Sequence, residues 1–213
     1  MRLALVYLIL ASSMGVRAAS AQADQLLDSL DASTYAELTE RVRTGETEID
    51  YRLWRLSFAA SPGYNPYDVD AKQRTARMFD ALFQQETPSA ALLIADSSLA
   101  ANYVHIDAHY GAGVAHDMLG NAEASTFHFD VFEGLMDSIL RTAEGTSADP
   151  FIVINVDEEY TLTGLLGLQR RGQSLVDCDS GARCDRLELY DPNDGADLTF
   201  YFDVSIPFGA MRR

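Results

Sequence analysis

Lysine is almost missing from this chain of 213 residues, with Lys72 the only one. Lysines and arginines together number 16 against 32 aspartates and glutamates, a formal net charge of −16. The clustered cations that displace counterions from nucleic acid, or dock on an anionic bilayer, are absent, so neither is expected as a partner. Cysteine is also scarce. Cys178 and Cys184 are the whole set, and no C-x-x-C spacing supports dithiol redox chemistry. The chain has no G-x-S-x-G elbow, no glycine loop of the kind that cradles phosphates and no H-E-x-x-H pair. Serine-hydrolase, nucleotide and zinc-peptidase chemistry are left without a signature, and no cofactor is implied. Beyond the N-terminus no stretch is apolar enough to span a bilayer.

The N-terminus itself reads as an export leader. Met1-Arg2 is a short basic start, and Leu3 opens an apolar run that fades through Ser12, Ser13 and Gly15. The run falls short of the roughly 20 apolar residues a membrane span needs. Ala19-Ser20-Ala21 predicts cleavage before Gln22, and Ala21-Gln22-Ala23 is a second small-x-small site. No cysteine follows the apolar run, which argues against a lipid anchor. Residues 1–21 are therefore expected to be a signal peptide and the mature protein to be periplasmic or secreted. Losing Arg2 and Arg17 with the leader takes the formal charge from −16 to −18. In that setting Cys178 and Cys184 are expected to form a disulfide across the turn-like run Asp179 to Arg183.

Residues 22–148 carry a helical period. Tyr35 to Thr44 predicts a helix capped by Ser33 or Thr34 and ended by Gly45. Ile49 to Ala60 predicts a second, stopped by Ser61-Pro62-Gly63, and Asp68 is placed to cap a third. Thr87-Pro88 punctuates before a short helix around Ala90 to Ala95. Val104 to Leu119 then sets Ala108, Gly111, Ala112 and Ala115 on one face, small enough for a partner helix to approach. After Gly120-Asn121 the next helix carries the stripe Ala124, Phe127, Val131, Leu135 and Ile139, broad enough to be buried on more than one side. This pair resembles one tetratricopeptide unit at Gly113, Gly120, Ser125 and Phe129. An ordinary helical hairpin explains it equally well, because a solenoid needs further copies to close its core.

Residues 149–213 switch to a period of two. Phe151 to Val156 predicts a strand, Asp157 a cap for a helix running to about Leu166, and Gln173 to Val176 another strand. Leu187 and Leu189 alternate with polar residues. Leu198, Phe200, Phe202, Val204 and Ile206 point to one side of a last strand, with the turn Asp191-Pro192-Asn193-Asp194-Gly195 between these two. The expected class is α+β: a helical layer followed by a small antiparallel sheet packed on it as one globular unit.

Seven ordered blocks carry a resemblance. They are Tyr64-Asn65-Pro66-Tyr67; Phe132-Glu133-Gly134-Leu135; Val153 through Asp157-Glu158-Glu159-Tyr160; Leu166-Gly167-Leu168; Gln173-Ser174-Leu175-Val176; Cys184-Asp185-x-Leu187-Glu188-Leu189; and Tyr201-Phe202-Asp203-Val204-Ser205. Together they resemble the bacterial family called domain of unknown function 4919 over about residues 33–208. The resemblance implies an exported protein and brings no activity with it. The run Asp177 to Arg183 is an addition to that pattern, so the disulfide is expected to be particular to this chain.

Several patterns can carry chemistry. Asp157-Glu158-Glu159 offers paired carboxylates for acid–base work, but acids after a strand also stabilise a helix N-terminus. His105 and His109 are four apart and could share a metal, with His116 or His128 as a third ligand, although no Glu sits between them. Asp191 to Asp197 has the look of a calcium loop but lacks the closing glutamate, and a tight turn explains it. Tyr64-Asn65-Pro66-Tyr67, with Glu159 and Tyr160, makes the candidate contact surface. The reading that results is a non-enzymatic binding module for a protein, a peptide or an envelope component. The alternative is a hydrolase using Glu158 or Glu159 with a histidine.

Overall fold

A computed structural model describes residues 30–210. The leader expected over 1–21 lies outside them. Six helices come first: α1 (Ala32–Arg43), α2 (Tyr51–Phe58), α3 (Val69–Phe83), α4 (Pro88–Ala101), α5 (Ile106–Met118) and α6 (Ala122–Leu140). Then follow β1 (Phe151–Ile152), α7 (Val156–Leu165), β2 (Gln169–Asp177), β3 (Arg183–Tyr190), β4 (Asp197–Asp203) and α8 (Ser205–Ala210). The class is α+β, as the change of period at residue 149 requires. Among the described residues no helix is long and apolar enough to cross a membrane.

Aspartates start the first three helices by accepting otherwise unpaired backbone N–H groups. Asp31 accepts from Thr34 N at 2.8 Å, Asp50 from Leu53 N at 2.8 Å and Asp68 from Asp70 N at 3.0 Å. The cap of α1 is thus Asp31, not Ser33 or Thr34, because both of those hydroxyls are themselves donating to the Asp31 carboxylate. α4 is longer than expected. Pro88 occupies its first turn, where the fixed φ is already helical, and Ala91, Ala95 and Leu99 continue one buried stripe. Small residues on α5 let its neighbours come close. A Cβ on Gly111 would lie 2.4 Å from the Met78 sulfur on α3, and one on Gly113 2.9 Å from the Phe129 ring on α6.

The sheet order is β1-β4-β3-β2. β2, β3 and β4 are antiparallel as expected, but β1 pairs parallel with β4, so the sheet is mixed. The strand expected over 151–156 stops after two residues, because Asn155 turns to cap α7; only Val153 N continues the ladder, donating to Asp203 O at 3.3 Å. β4 ends early for a similar reason: Asp203 accepts from Ser205 N at 2.8 Å and starts α8. The main core joins Trp54, Leu56, Val131, Leu135 and Ile139 of the helices to Leu162, Leu187, Leu189 and Phe202. Cys178 and Cys184 form the expected disulfide at the tip of the β2–β3 hairpin, where Gly181 takes φ +89°.

Candidate functional site

The site is built around the first turn of α7. Asn155 caps it, its Oδ1 accepting from Glu158 N at 3.0 Å, in place of the expected Asp157. Asp157 is half-buried beside it, while Glu158 turns inward. Arg55 of α2 meets it there in a fully buried ion pair, Nη1 to Oε2 at 2.8 Å. The same guanidinium donates through Nε to Ser138 Oγ at 3.0 Å and through Nη2 to Ile152 O at 2.9 Å. Ile154 N also donates to Glu158 Oε2 at 2.9 Å, while Oε1 has no partner. Four elements are tied by this one pair. Burial pushes the Glu158 carboxyl up, with Arg55 opposing.

Glu158 lines a polar well of about 80 Å³ between the 63–68 loop, α3, α5 and α7. Asp107 enters it from the first turn of α5, accepting from Thr161 Oγ1 of α7 at 2.8 Å. Burial pushes the Asp107 carboxyl up to about 6; Thr161 opposes this, and the neighbouring Asp157 and Glu158 add to it. Burial likewise lifts Asp157, with Lys72 acting against it. Arg74 is engaged by Asp68 at 3.2 Å. His105 faces Thr75 Oγ1 at 3.5 Å, and burial followed by the Arg74 charge lowers it to about 4, so it is neutral at pH 7.

Asp107, Asp157 and Thr161 also line a second concavity of about 410 Å³. This groove is largely apolar, walled by Phe79 of α3, Tyr110 of α5, Phe132 of α6, and Tyr160 and Leu165 of α7. The rings hold one another in edge and tilted contacts, Phe79 to Tyr110 at 6.2 Å and Tyr110 to Phe132 at 5.3 Å between centroids. Arg170 lies 4.3 Å, and Lys72 5.7 Å, from the Tyr160 centroid. Well and groove are thus neighbours sharing three residues, one polar and one aromatic.

The expected contact residues divide. Tyr64 is half-buried on the well's wall, its hydroxyl donating to Ile154 O at 2.5 Å, with Asn65 and Pro66 beside it. Tyr67 is 43% exposed and its N–H donates to Asn65 Oδ1 at 3.3 Å, away from the well. Tyr160 lines the groove. Glu159 does not belong with them: it is fully buried, neither carboxylate oxygen has a partner, and burial together with Asp185 and Glu158 raises it to about 9. No ligand can reach it. Phe79, Tyr110 and Phe132 do not stand out in the sequence because rings at helical spacing read as core; the available signal is Asp107, an acid in the first turn of a helix rich in small apolar residues.

The histidines do not converge as spacing suggested. His105 is the N-cap residue of α5; its backbone is extended and its ring faces Thr75, whereas the His109 ring meets Tyr103 and His128. His109 is fully buried and its Nε2–H donates to Tyr103 O at 2.9 Å. A neutral ring with that tautomer accepts at Nδ1, so His128 Nδ1–H donates to it across 3.0 Å. Burial lowers His109 to about 3 and His128 to about 4. His116 stacks on His128 with centroids 5.6 Å apart. Among the described residues no group of three His, Cys, Asp or Glu is arranged to hold a metal. The acids of the Asp191 to Asp197 turn are also occupied: Asp191 accepts from Asn193 N at 2.8 Å, Asp194 from Ala196 N at 2.9 Å, and Asp197 pairs with Arg171 at 2.7 Å.

No curated protein and no solved structure matches the chain. The family described as Domain of unknown function (DUF4919) matches residues 25–212, nearly all of the sequence past the expected leader, and the chain belongs to that family.

Proposed function

We propose that the chain is an exported, non-enzymatic binding module that holds an aromatic or aliphatic side chain of a peptide segment in the groove between α3, α5, α6 and α7. The observation that carries this is the groove itself. Phe79, Tyr110, Phe132, Tyr160 and Leu165 form a concave apolar surface with a small polar well at one end, the combination that small-ligand and peptide sites share. Export is supported by the leader pattern, by a family match that begins only at residue 25, and by the Cys178–Cys184 bond, which persists in oxidising compartments. The hydrolase alternative draws no support from the geometry. Among the described residues neither Glu158 nor Glu159 hydrogen-bonds an imidazole; Glu158 is held by Arg55, and Glu159 is sealed from both concavities.

Calorimetric titration of the mature chain with acetyl-Phe-Gly amide, an uncharged piece of peptide, tests the reading. Saturable binding is expected, weakened by about tenfold or more in Leu165→Glu, which places a charge in the apolar wall at a residue 46% exposed. Absence of saturable binding, or equal binding to both proteins, contradicts it.

A further inference from the structure

The well has a charge preference of its own, and drawing a ligand from it rests on the peptide-binding reading. Asp68, Asp107, Asp157 and Glu158 line it, against Arg74 as the lining cation. Arg74 is already paired with Asp68 at 3.2 Å, and His105 is neutral. The acids alone would prove nothing. Glu158, however, is 4% exposed, lines the well, and keeps an oxygen with no hydrogen-bond partner after Arg55 and Ile154 have taken the other. A buried carboxylate oxygen left unsatisfied calls for a donor. The N-terminal dipole of α7 opposes a cation here, but its first turn already carries Asp157 and Glu158 to offset it.

The chain also shows what kind of donor suits the rim. Its one lysine, Lys72, places an ammonium 5.7 Å from the Tyr160 ring centroid and close enough to act on Asp157. An ammonium before an aromatic face and beside a carboxylate gains from both. Asp107 and Asp157 line both concavities, so a group held by them sits where the groove opens into the well.

We propose that the well recognises a primary ammonium on the peptide whose apolar side chain fills the groove, with Asp107 and Asp157, which line both concavities, as acceptors and the half-satisfied Glu158 carboxylate behind them as the charge that draws it. The ammonium is either the peptide N-terminus or a lysine side chain, since both present the same three donors.

Titrations at pH 7 compare Phe-Gly amide, with a free N-terminus that is mostly charged at this pH, with acetyl-Phe-Gly amide, and acetyl-Phe-Lys amide with acetyl-Phe-norleucine amide. The ammonium member of at least one pair is expected to bind about tenfold tighter, as a charge-assisted hydrogen bond in a partly dry site implies; the pair showing it names the source. In Asp107→Asn the preference is expected to shrink toward unity, and Asp157→Asn serves as the second variant should the first not fold. Equal binding within both pairs overturns the ammonium proposal while leaving the groove reading in place. If none of the four probes binds, both are overturned. A preference that survives in both variants overturns the assignment of these acids.

Discussion

Glu158 and Glu159 are consecutive residues of α7, both in the interior, and their surroundings differ in almost every respect. Glu158 turns toward the helical layer, where Arg55, Ser138, Ile152 and Ile154 form a bonded network around it. Glu159 turns toward the sheet, near Asp185 and Arg170, and no atom of its carboxyl group is hydrogen-bonded. The first is charge compensated by charge; the second is kept neutral by burial. Burial of an acid therefore does not by itself mark a site. What marks the Glu158 side is the combination of a network that fixes the helix start and a buried oxygen left without a partner beside a cavity.

Breaking the network should give the largest effect. Arg55→Met leaves Glu158 buried without its partner and is expected to destabilise the fold by about 3 to 5 kcal/mol, measured by urea denaturation. Adding Glu158→Leu in the same chain should recover much of the loss, because an apolar pair removes the unpaired charge.

The Glu159 side should respond to pH instead. Between its ordinary value of 4.5 and its folded value of about 9, the folded state keeps a proton that the unfolded state gives up. Stability then falls as pH rises, by about 1.4 kcal/mol per unit. The buried imidazoles act in the other direction. His105, His109 and His128 sit at about 4, about 3 and about 4 against 6.5 when unfolded, so the unfolded chain takes protons that the folded chain refuses as pH drops below 6.5. Maximum stability is expected near pH 6.5, and Glu159→Gln should flatten the alkaline limb and steepen the acid limb between 4.5 and 6.5, where Glu159 opposes the imidazoles. An unchanged alkaline slope in denaturation midpoints would count against a neutral Glu159.

Two smaller changes sharpen the contrast. Replacing Cys178 and Cys184 by serine acts on the sheet side only and should cost about 2 kcal/mol, as a short closed loop implies, in unfolding curves with and without reductant. Thr161→Val removes the Asp107 partner on the well side and should cost about 1 kcal/mol. It should also move the Asp107 titration further above 6, since Thr161 holds it down, a shift readable by carboxyl-carbon NMR.

Much of this architecture was legible in residue order. The change of period at 149, the hairpin turn at Asp191 to Gly195 and the disulfide all depend on local chemistry, and local chemistry is what spacing reports. Strand β1 is shorter than residue order suggests, because Phe151 to Ile154 is an unbroken apolar run that could extend further. Only the Asn155 side chain, closing on Glu158 N, decides where extension stops. The parallel pairing of β1 with β4 joins residues some fifty positions apart and leaves no local trace. The candidate site was half visible. Tyr64, Asn65, Pro66 and Tyr160 carried turn or aromatic signals, whereas Asp107, Thr161 and Arg74 come together only when α3, α5 and α7 pack. Glu158 and Glu159 have identical side-chain chemistry next to each other, and a sequence cannot say which of them finds an arginine.

The groove is the central claim, and amide NMR shifts during titration with acetyl-Phe-Gly amide test it most directly. Saturating shifts concentrated at Tyr110, Phe132, Tyr160, Thr161 and Gly164 are predicted, with the β2–β3 hairpin unmoved. Shifts centred on that hairpin, or no saturable shift anywhere, would contradict it.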